Sequence, residues 1–421
     1  MLRNRLSCEI HPRLDVVSAA EWNRLFPSLL DPIEMIRLIQ DVGLDGFSFH
    51  SLVVRSAGRP LLLLPLFVAR FPLSTLVNDA MRPAVNAAAK WLPGLLTPRI
   101  LGVGFAEGEW SQVGMDPSVG PELLDAVWEL ALEALEALAD GLRADLTAFV
   151  HFTADSGRLL PMSKLRGFSE LAGLPYSVVP IVFQNQEAYI RTLSAKMRAD
   201  LRRKLRNARA VSVVKTREPG PWLEAIYQLY LETVANSEVV FGVQRRAYFE
   251  RICRTVPGAE YWLYFANERL LAFKLVVVTS DCLIDKYFGM DHLRGREHSV
   301  YFVAWAQLIQ HCIEQNIPTY HAGQSEEDTK GRLGAQSIPS LILFRHRNAV
   351  MHRLLSFLSR HISYEPKVPL PKAQLGTDWR MPPSQGPLRR EPAAGLEDLV
   401  PQNGETRPPS DGANHRVSKL A

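Results

Sequence analysis

One succession of patterns runs twice along this chain, and it limits the fold more than any other feature. A helical stretch, Ala19 to Leu44, leads into two apolar strand-like runs, Phe47 to Arg55 and Pro60 to Arg70, joined by the polar turn Ser56-Ala57-Gly58-Arg59. Further on, a helix expected over Pro221 to Ala235 precedes two more such runs, Tyr261 to Ala266 and Leu270 to Thr279, joined at Asn267-Glu268. Alternation, β-branched residues and a polar turn mark a hairpin in each case. The order then continues in parallel. Pro121 to Leu142 has apolar residues at helical spacing and Pro at its start, and it answers Ser299 to Asn316, with Ser299 as the expected N-cap. A short strand follows each helix, Asp145 to Phe152 or Thr319 to Ala322. Then comes a basic, glycine-containing stretch, Lys164-Leu165-Arg166-Gly167-Phe168 or Lys330-Gly331-Arg332-Leu333-Gly334, and a last strand, Tyr176 to Phe183 or Ser340 to Arg345. Shared order with few shared letters points to a duplicated α/β unit, each copy a mixed sheet flanked by helices, with two unrelated α/β domains as the plainer alternative.

The length, 421 residues, leaves room for two or three domains. The expected divisions are 1–186, 187–363 and a tail over 364–421. From Pro366 to Ala421 the chain carries ten of its 29 prolines and shows no period of 2 or 3.6, so this tail is expected to be disordered. Folded structure is expected to end with a helix over Asn348 to Ile362. A net charge of +4 does not by itself point to a nucleic-acid partner, and no DNA partner is expected. Four scattered cysteines without a CxxC pair argue against a zinc site or a disulfide framework and fit a reduced, cytoplasmic compartment, with no metal expected. The opening residues hold no apolar stretch long enough for a signal peptide. The most apolar run, Pro60 to Ala69, contains Pro65 and is shorter than the ~20 residues a bilayer needs, which leaves peripheral membrane contact open.

Three segments can carry chemistry. In Tyr189 to Ala210, YIRTLSAKMRADLRRKLRNARA, Leu193, Met197, Leu201, Leu205 and Ala208 fall on one helical face. Arg198, Arg202, Arg206 and Arg209 fall on a neighbouring one. So many arginines with few nearby acids repel one another, and an anion would relieve them: RNA, a phosphorylated lipid or the phosphates of a nucleotide cofactor. A merely solvated face is the plainer alternative. No aromatic residue is interleaved, so base stacking is not supported. In Cys282 to Ser299, a strand over Leu283 to Met290 precedes a loop with Arg294, Gly295 and Arg296 and then a helix beginning at Ser299. Such a loop can hold phosphates through backbone N–H groups, the helix dipole and arginine, or it is a plain turn. There is no Walker loop and no GxGxxG after a strand. In Thr319 to Gln336, His321 ends a strand and has a pKa suited to a general base, although a lone histidine is more often structural. Glu326, Glu327 and Asp328 lack a definite metal-ligand spacing.

Together these segments resemble the GNAT acyltransferases, and more closely the tandem GNAT proteins of the Fem type and the BioF2-like, cellulose-biosynthesis-type acetyltransferases. The basic helix is similar to the Arg-rich helix that opens their second domain. FANERLLAFKLVVVTSDCLIDKYFGMD resembles their strand-turn-strand-strand core, and YHAGQSEEDTKGRLGAQ their closing loop, with Lys330 matching a characteristic lysine and Gly334 the glycine after it. The likeness is good over Trp222 to Arg347 and architectural over the first half. Departures are His321 where an acidic residue is frequent, Thr329 where an aromatic one is frequent, and Arg294-Gly295-Arg296 as a reduced form of the acyl-CoA loop R/Q-x-x-G-x-G/A. The resemblance implies two tandem GNAT-like domains and transfer from acetyl-CoA or another acyl-CoA to a polar acceptor, small or carried on a glycan or lipid. It implies His321 as base, Tyr287 as acid, Lys330 as a group orienting the acceptor, and Asp285 on the strand face of Tyr287, since the two are two residues apart. Two other readings stand beside it. One is a non-catalytic GNAT-fold protein that docks an anionic partner through its basic helix. The other is aminoacyl transfer of the Fem type, against which counts the lack of room for a coiled-coil arm.

Overall fold

The computed structural model describes residues 5–27, 31–72, 96–108, 113–153, 160–208, 210–237 and 242–359, with 87 and 240. The tail expected to be disordered lies outside the described residues. The first half runs β1 (Leu6–His11), α1 (Ala19–Leu25), α2 (Ile33–Val42), β2 (Ser48–Ser56), β3 (Arg59–Arg70), β4 (Arg99–Val103), β5 (Gly114–Met115), α3 (Pro121–Gly141), β6 (Leu146–Thr153) and β7 (Ser169–Pro180). The second runs α4 (Gln186–Thr192), α5 (Ala195–Asn207), β8 (Ser212–Thr216), a 3-10 turn (Gly220–Trp222), α6 (Leu223–Ala235), α7 (Arg246–Thr255), β9 (Ala259–Ala266), β10 (Arg269–Val278) and β11 (Leu283–Met290). It ends with α8 (His292–Glu297), α9 (Val300–Glu314), β12 (Thr319–His321), α10 (Glu327–Arg332), β13 (Gln336–His346) and α11 (Ala349–Ser359).

The duplication is explicit in the pairing. Strands β1 to β4 form an antiparallel run, and β6 joins β4 in parallel. Strands β8 to β11 form the same run, and β12 joins β11 in parallel. The last strands cross over: β13, from the end of the chain, pairs with β6, while β7, from the first half, pairs with β12. Strands β7 and β13 also pair with each other. The described strands therefore form a single sheet, ordered β1-β2-β3-β4-β6-β13-β7-β12-β11-β10-β9-β8 with β5 against β3. Each half completes its sheet with a strand from the other.

Local chemistry explains where the elements begin and end. Both hairpin turns use two consecutive left-handed residues, Ala57 and Gly58 (φ 47° and 81°) and Asn267 and Glu268 (φ 49° and 62°), the twist that suits a two-residue β-turn. The single helix expected over Ala19 to Leu44 is two helices, because Pro27 and Pro32 cannot lie inside one; Ser18 and Glu21 close a capping box on α1. The basic helix likewise breaks at Leu193, where Ser194 caps α5 by accepting from the Met197 N–H. Helix α7 and the edge strands β1 and β8 are additions to the sequence reading.

One face of the sheet is covered by α1, α2, α6 and α7 around a shared core that includes Trp22, Ile36, Ile39, Tyr230, Phe249, Ile252, Phe273 and Ile284. The opposite face carries α3 over the first half and α4, α5 and α9 over the second. In the second, the buried Trp305 indole donates to the Tyr189 hydroxyl (2.8 Å), which donates to the Leu333 carbonyl (2.7 Å), tying α4 to α9 and to the end of α10.

A buried carboxylate anchors the first half. Asp116 accepts from Arg24 (2.9 Å), from Arg59 (2.8 Å) and from the Ser118 hydroxyl (2.7 Å) and N–H (2.9 Å). Burial alone would raise this carboxyl, but the Ser118 and Arg59 bonds outweigh it and hold it down at about 2. A depressed folded-state pKa gives stability that is complete above the unfolded value, near 4, and is lost as pH falls through the folded one. The expected contribution is about 2 kcal/mol. Urea midpoints measured from pH 5 down to 2.5 should fall more steeply for the wild type than for Asp116→Asn; parallel curves would remove this role.

Candidate active site

The second half holds a point where the sheet opens. Strand β12 pairs with β11 only at Leu283–Tyr320 and Ile284–His321. The chain then turns away at Gly323 (φ +72°), whose Cβ, if present, would lie 3.8 Å from the Asp285 carbonyl. Among the described residues, strand β11 has no strand partner along that edge from Asp285 to Met290. On its other edge its register against β10 slips, with Leu275 opposite Tyr287 and Val276 opposite Asp285, so Lys286 is a bulge. The bulge corrects the strand-face expectation. Asp285 and Tyr287 lie on opposite faces of the sheet, because the extra residue between them breaks the two-residue alternation.

On the α9 face, Asp285 forms a buried ion pair with Lys274 of β10 and accepts from the Tyr320 hydroxyl of β12 at 2.8 Å. Burial and the Asp285 charge hold the Tyr320 phenol protonated, well above its ordinary range. Lys274 also lies over the Phe288 ring, 4.7 Å from its centroid. These residues join β10, β11 and β12 at the opening.

On the other face, Tyr287 reaches the first half. Its hydroxyl donates to the Glu107 carboxylate at 2.9 Å, and its ring packs against Tyr230, Tyr248 and Phe249. The Lys286 ammonium donates to the Glu107 carbonyl (3.0 Å) and stands 3.5 Å from Asp31, both side chains being buried. Burial, then the Glu107 charge, push the Tyr287 phenol far up, so it holds its proton at any ordinary pH. Glu107 also walls a small, shallow open cleft with Ile36, Phe49, Leu66 and Phe105. His321 shares this face. It is fully enclosed, and its ring lies 5.5 Å from that of Tyr176. Lys330, in α10, is buried and donates to the Ala322 carbonyl just past β12.

The stretch read as a phosphate loop is helical. Arg294, Gly295 and Arg296 belong to α8, and the Asp291 carboxylate caps it by accepting from the Leu293 N–H (3.2 Å) and the Arg294 N–H (3.0 Å). Gly295 packs on Met290. Ser299 caps nothing with its side chain: it is left-handed (φ 54°), and its carbonyl takes the Phe302 and Val303 N–H groups. The helical turn of α8 leaves no room for an extended loop before α9.

The basic helix is partly neutralised within the chain, which corrects the expected self-repulsion. Arg198 donates to the carbonyls of Arg191 (3.0 Å) and Leu193 (3.2 Å), capping the end of α4, and Arg202 pairs with Glu187. Lys204 pairs with Asp200 (2.8 Å) and lies over the Phe302 ring. Arg206 is exposed, and Arg209 lies outside the described residues. Arg198→Ala should therefore cost stability, about 1 kcal/mol. Arg206→Glu should leave stability unchanged and weaken only binding of an anion, with a loss that shrinks at high salt. Denaturant titrations and binding at two ionic strengths separate the two; equal stability losses would show that both arginines are structural.

Sequence reasoning missed Lys274, Lys286, Glu107 and Asp31. Lys274 had a signal, a lone lysine inside the apolar strand LLAFKLVVV. Glu107 and Asp31 had none, since only tertiary packing brings them to Tyr287. Among the described residues, no group of three or more His, Cys, Asp or Glu could hold a metal, and no helix is long and apolar enough to cross a membrane.

Comparison with known proteins agrees with this fold. The family model for the acetyltransferase (GNAT) domain matches residues 195–331. Among solved structures, FemX is similar over 81% of this chain and 98% of its own, at 13% identity and a TM-score of 0.51. A chain described as the C-terminal domain of a lysylphosphatidylglycerol synthetase from Agrobacterium fabrum is similar over 82% of this chain and 96% of its own, at 12% identity and a TM-score of 0.50. Identities this low speak for the fold alone. No curated protein sequence gives a significant match. Residues 195–331 carry an acetyltransferase (GNAT) domain, and the chain as a whole shares its fold with FemX.

Proposed function

We propose that the protein is an acyl-CoA-dependent N- or O-acyltransferase whose donor lies where β11 and β12 part. The observation that carries this reading is the bulge at Lys286, which turns Tyr287 toward Glu107 beside that opening. A thioester laid along the free edge of β11 would meet backbone N–H groups able to stabilise its oxyanion. Tyr287, kept protonated by burial, suits the group that protonates the leaving thiolate. Glu107, bonded to Tyr287 and open to the cleft, suits the group that takes the acceptor's proton. His321 is the second candidate base, on the same face and enclosed. Lys330 holds the chain end of β12 in place. The acceptor is a polar molecule entering from the first-half side, for instance a precursor of an envelope polymer or polysaccharide.

A second reading is favoured by one observation. The stretch Arg294-Gly295-Arg296, expected as a loop for the CoA pyrophosphate, is helical, and the Asp291 carboxylate occupies the Leu293 and Arg294 N–H groups at its start. A donor without that group, such as aminoacyl-tRNA, would not miss them, and FemX and the synthetase domain share the fold. Thiol release from acetyl-CoA and longer acyl-CoAs, run beside transfer from charged tRNA, tests the choice. Acceptor-dependent thiol release supports the first reading; transfer only from tRNA would replace it with the second.

A further inference from the structure

Among the described residues, large exposed apolar side chains are scattered through the sequence, as on any folded chain, except in α11, where they gather. Val350 is 73% exposed, Leu354 46%, Phe357 59% and Leu358 40%. Their spacing of three and four residues sets them on one face of the helix. The opposite face holds α11 to the sheet. The His352 ring lies 5.9 Å from that of Phe344, the Ser356 hydroxyl is 2.5 Å from that of Ser169, and Leu355 packs against the core that includes Leu146 and Leu171. Asn348 fixes the start of the helix, its side chain accepting from the Val350 and Met351 N–H groups, both at 3.0 Å. The helix is thus anchored by its inner face while its outer face is apolar, the reverse of an ordinary surface helix.

The charge beside this stripe has one sign. Arg347 and Arg353 are exposed, and Arg353, three residues from Val350 and four from Phe357, borders the stripe. From Arg345 to Tyr364 the sequence has four arginines, three histidines and no Asp or Glu. Of these arginines, Arg345 pairs with Glu136. We propose that the outer face of α11 is a docking surface for an anionic phospholipid membrane. Val350, Leu354 and Leu358 enter the boundary between headgroups and acyl chains, while Arg347 and Arg353 meet the lipid phosphates. A second copy of this chain is a poorer guest, since two such faces would set arginines against arginines. Because α11 is already folded and capped, docking bears no cost of forming a helix. The surface goes beyond the transferase reading and is independent of it: docking needs neither acyl donor nor acceptor.

Flotation of the full chain with two kinds of vesicle tests it, one of phosphatidylcholine alone and one of equal parts phosphatidylcholine and phosphatidylglycerol. The wild type should bind the mixed vesicles about tenfold more tightly than the neutral ones, and high salt should narrow the difference. Val350→Ser with Leu354→Ser should weaken binding to the mixed vesicles about tenfold, because two apolar side chains no longer leave water, and should leave the melting temperature unchanged. Arg347→Gln with Arg353→Gln keeps the apolar stripe and should bring binding of the mixed vesicles down to nearly that of the neutral ones. Equal binding of the two vesicles by the wild type, or binding that both double variants retain, would overturn the surface. So would a serine variant that melts several degrees lower, since the stripe would then be covered by another part of the chain. A wild-type dimer that the serine substitutions dissolve, with no vesicle binding, would assign the face to a second copy instead.

Discussion

Tyr287→Phe and Glu107→Gln are each expected to lower turnover by roughly two to four orders of magnitude, the usual worth of a positioned acid or base. Both substitutions keep side-chain volume, so packing against Tyr230, Tyr248 and Phe249 is retained and donor binding should change little. The pair shares one hydrogen bond, so the double variant should lose hardly more than either single one. His321→Ala separates the two candidate bases. If Glu107 takes the proton, this variant loses stability and keeps its turnover per folded molecule. A loss as large as that of Glu107→Gln, in well-folded protein, would move the base to His321. Turnover that survives both Tyr287→Phe and Glu107→Gln would remove this face of the sheet from the chemistry.

The second large effect concerns the Lys274–Asp285 pair. Its side chains are only 4% and 7% exposed, so removing one partner strands a charge in the core. Asp285→Ala is expected to cost about 3–5 kcal/mol of folding stability, as breaking buried pairs does. The apolar double variant, Lys274→Met with Asp285→Leu, should recover most of that loss, because replacing both charges also removes their desolvation cost. Tyr320→Phe removes a single bond to the same carboxylate and should cost about 1–2 kcal/mol. Denaturant midpoints for the set decide it. A double variant as unstable as Asp285→Ala would mean that the pair supplies something beyond charge balance, such as the register of the bulge.

The fold was legible where periodicity is local. Hairpins β2–β3 and β9–β10, helices α3 and α9 and the duplicated order all follow from patterns a dozen residues long, because turn chemistry and amphipathic spacing are short-range. The exchange of β7 and β13 was not legible. Both strands carry ordinary apolar alternation, and nothing in Tyr176 or Ser340 says which sheet each will complete. The site was half legible. Tyr287 and Asp285 stood out as polar groups in a buried strand, but the bulge that sends them to opposite faces depends on pairing with β10. The arginine-rich helix read as an anion site because its nearest counter-charges, Glu187 and the carbonyls ending α4, sit across a helix break that the sequence pattern ran through. Glu107 lies some 180 residues from its partner Tyr287, beyond any local signal.

Hydrogen exchange with and without acetyl-CoA tests the central claim most directly, since it asks where a donor lies before any acceptor is known. Peptides covering Leu283–Met290 and Thr319–Gly323 should gain protection on adding the donor, while the first-half hairpin β2–β3 stays unchanged. No protection at either segment, with acetyl-CoA in large excess, would contradict a donor site at the parting of β11 and β12.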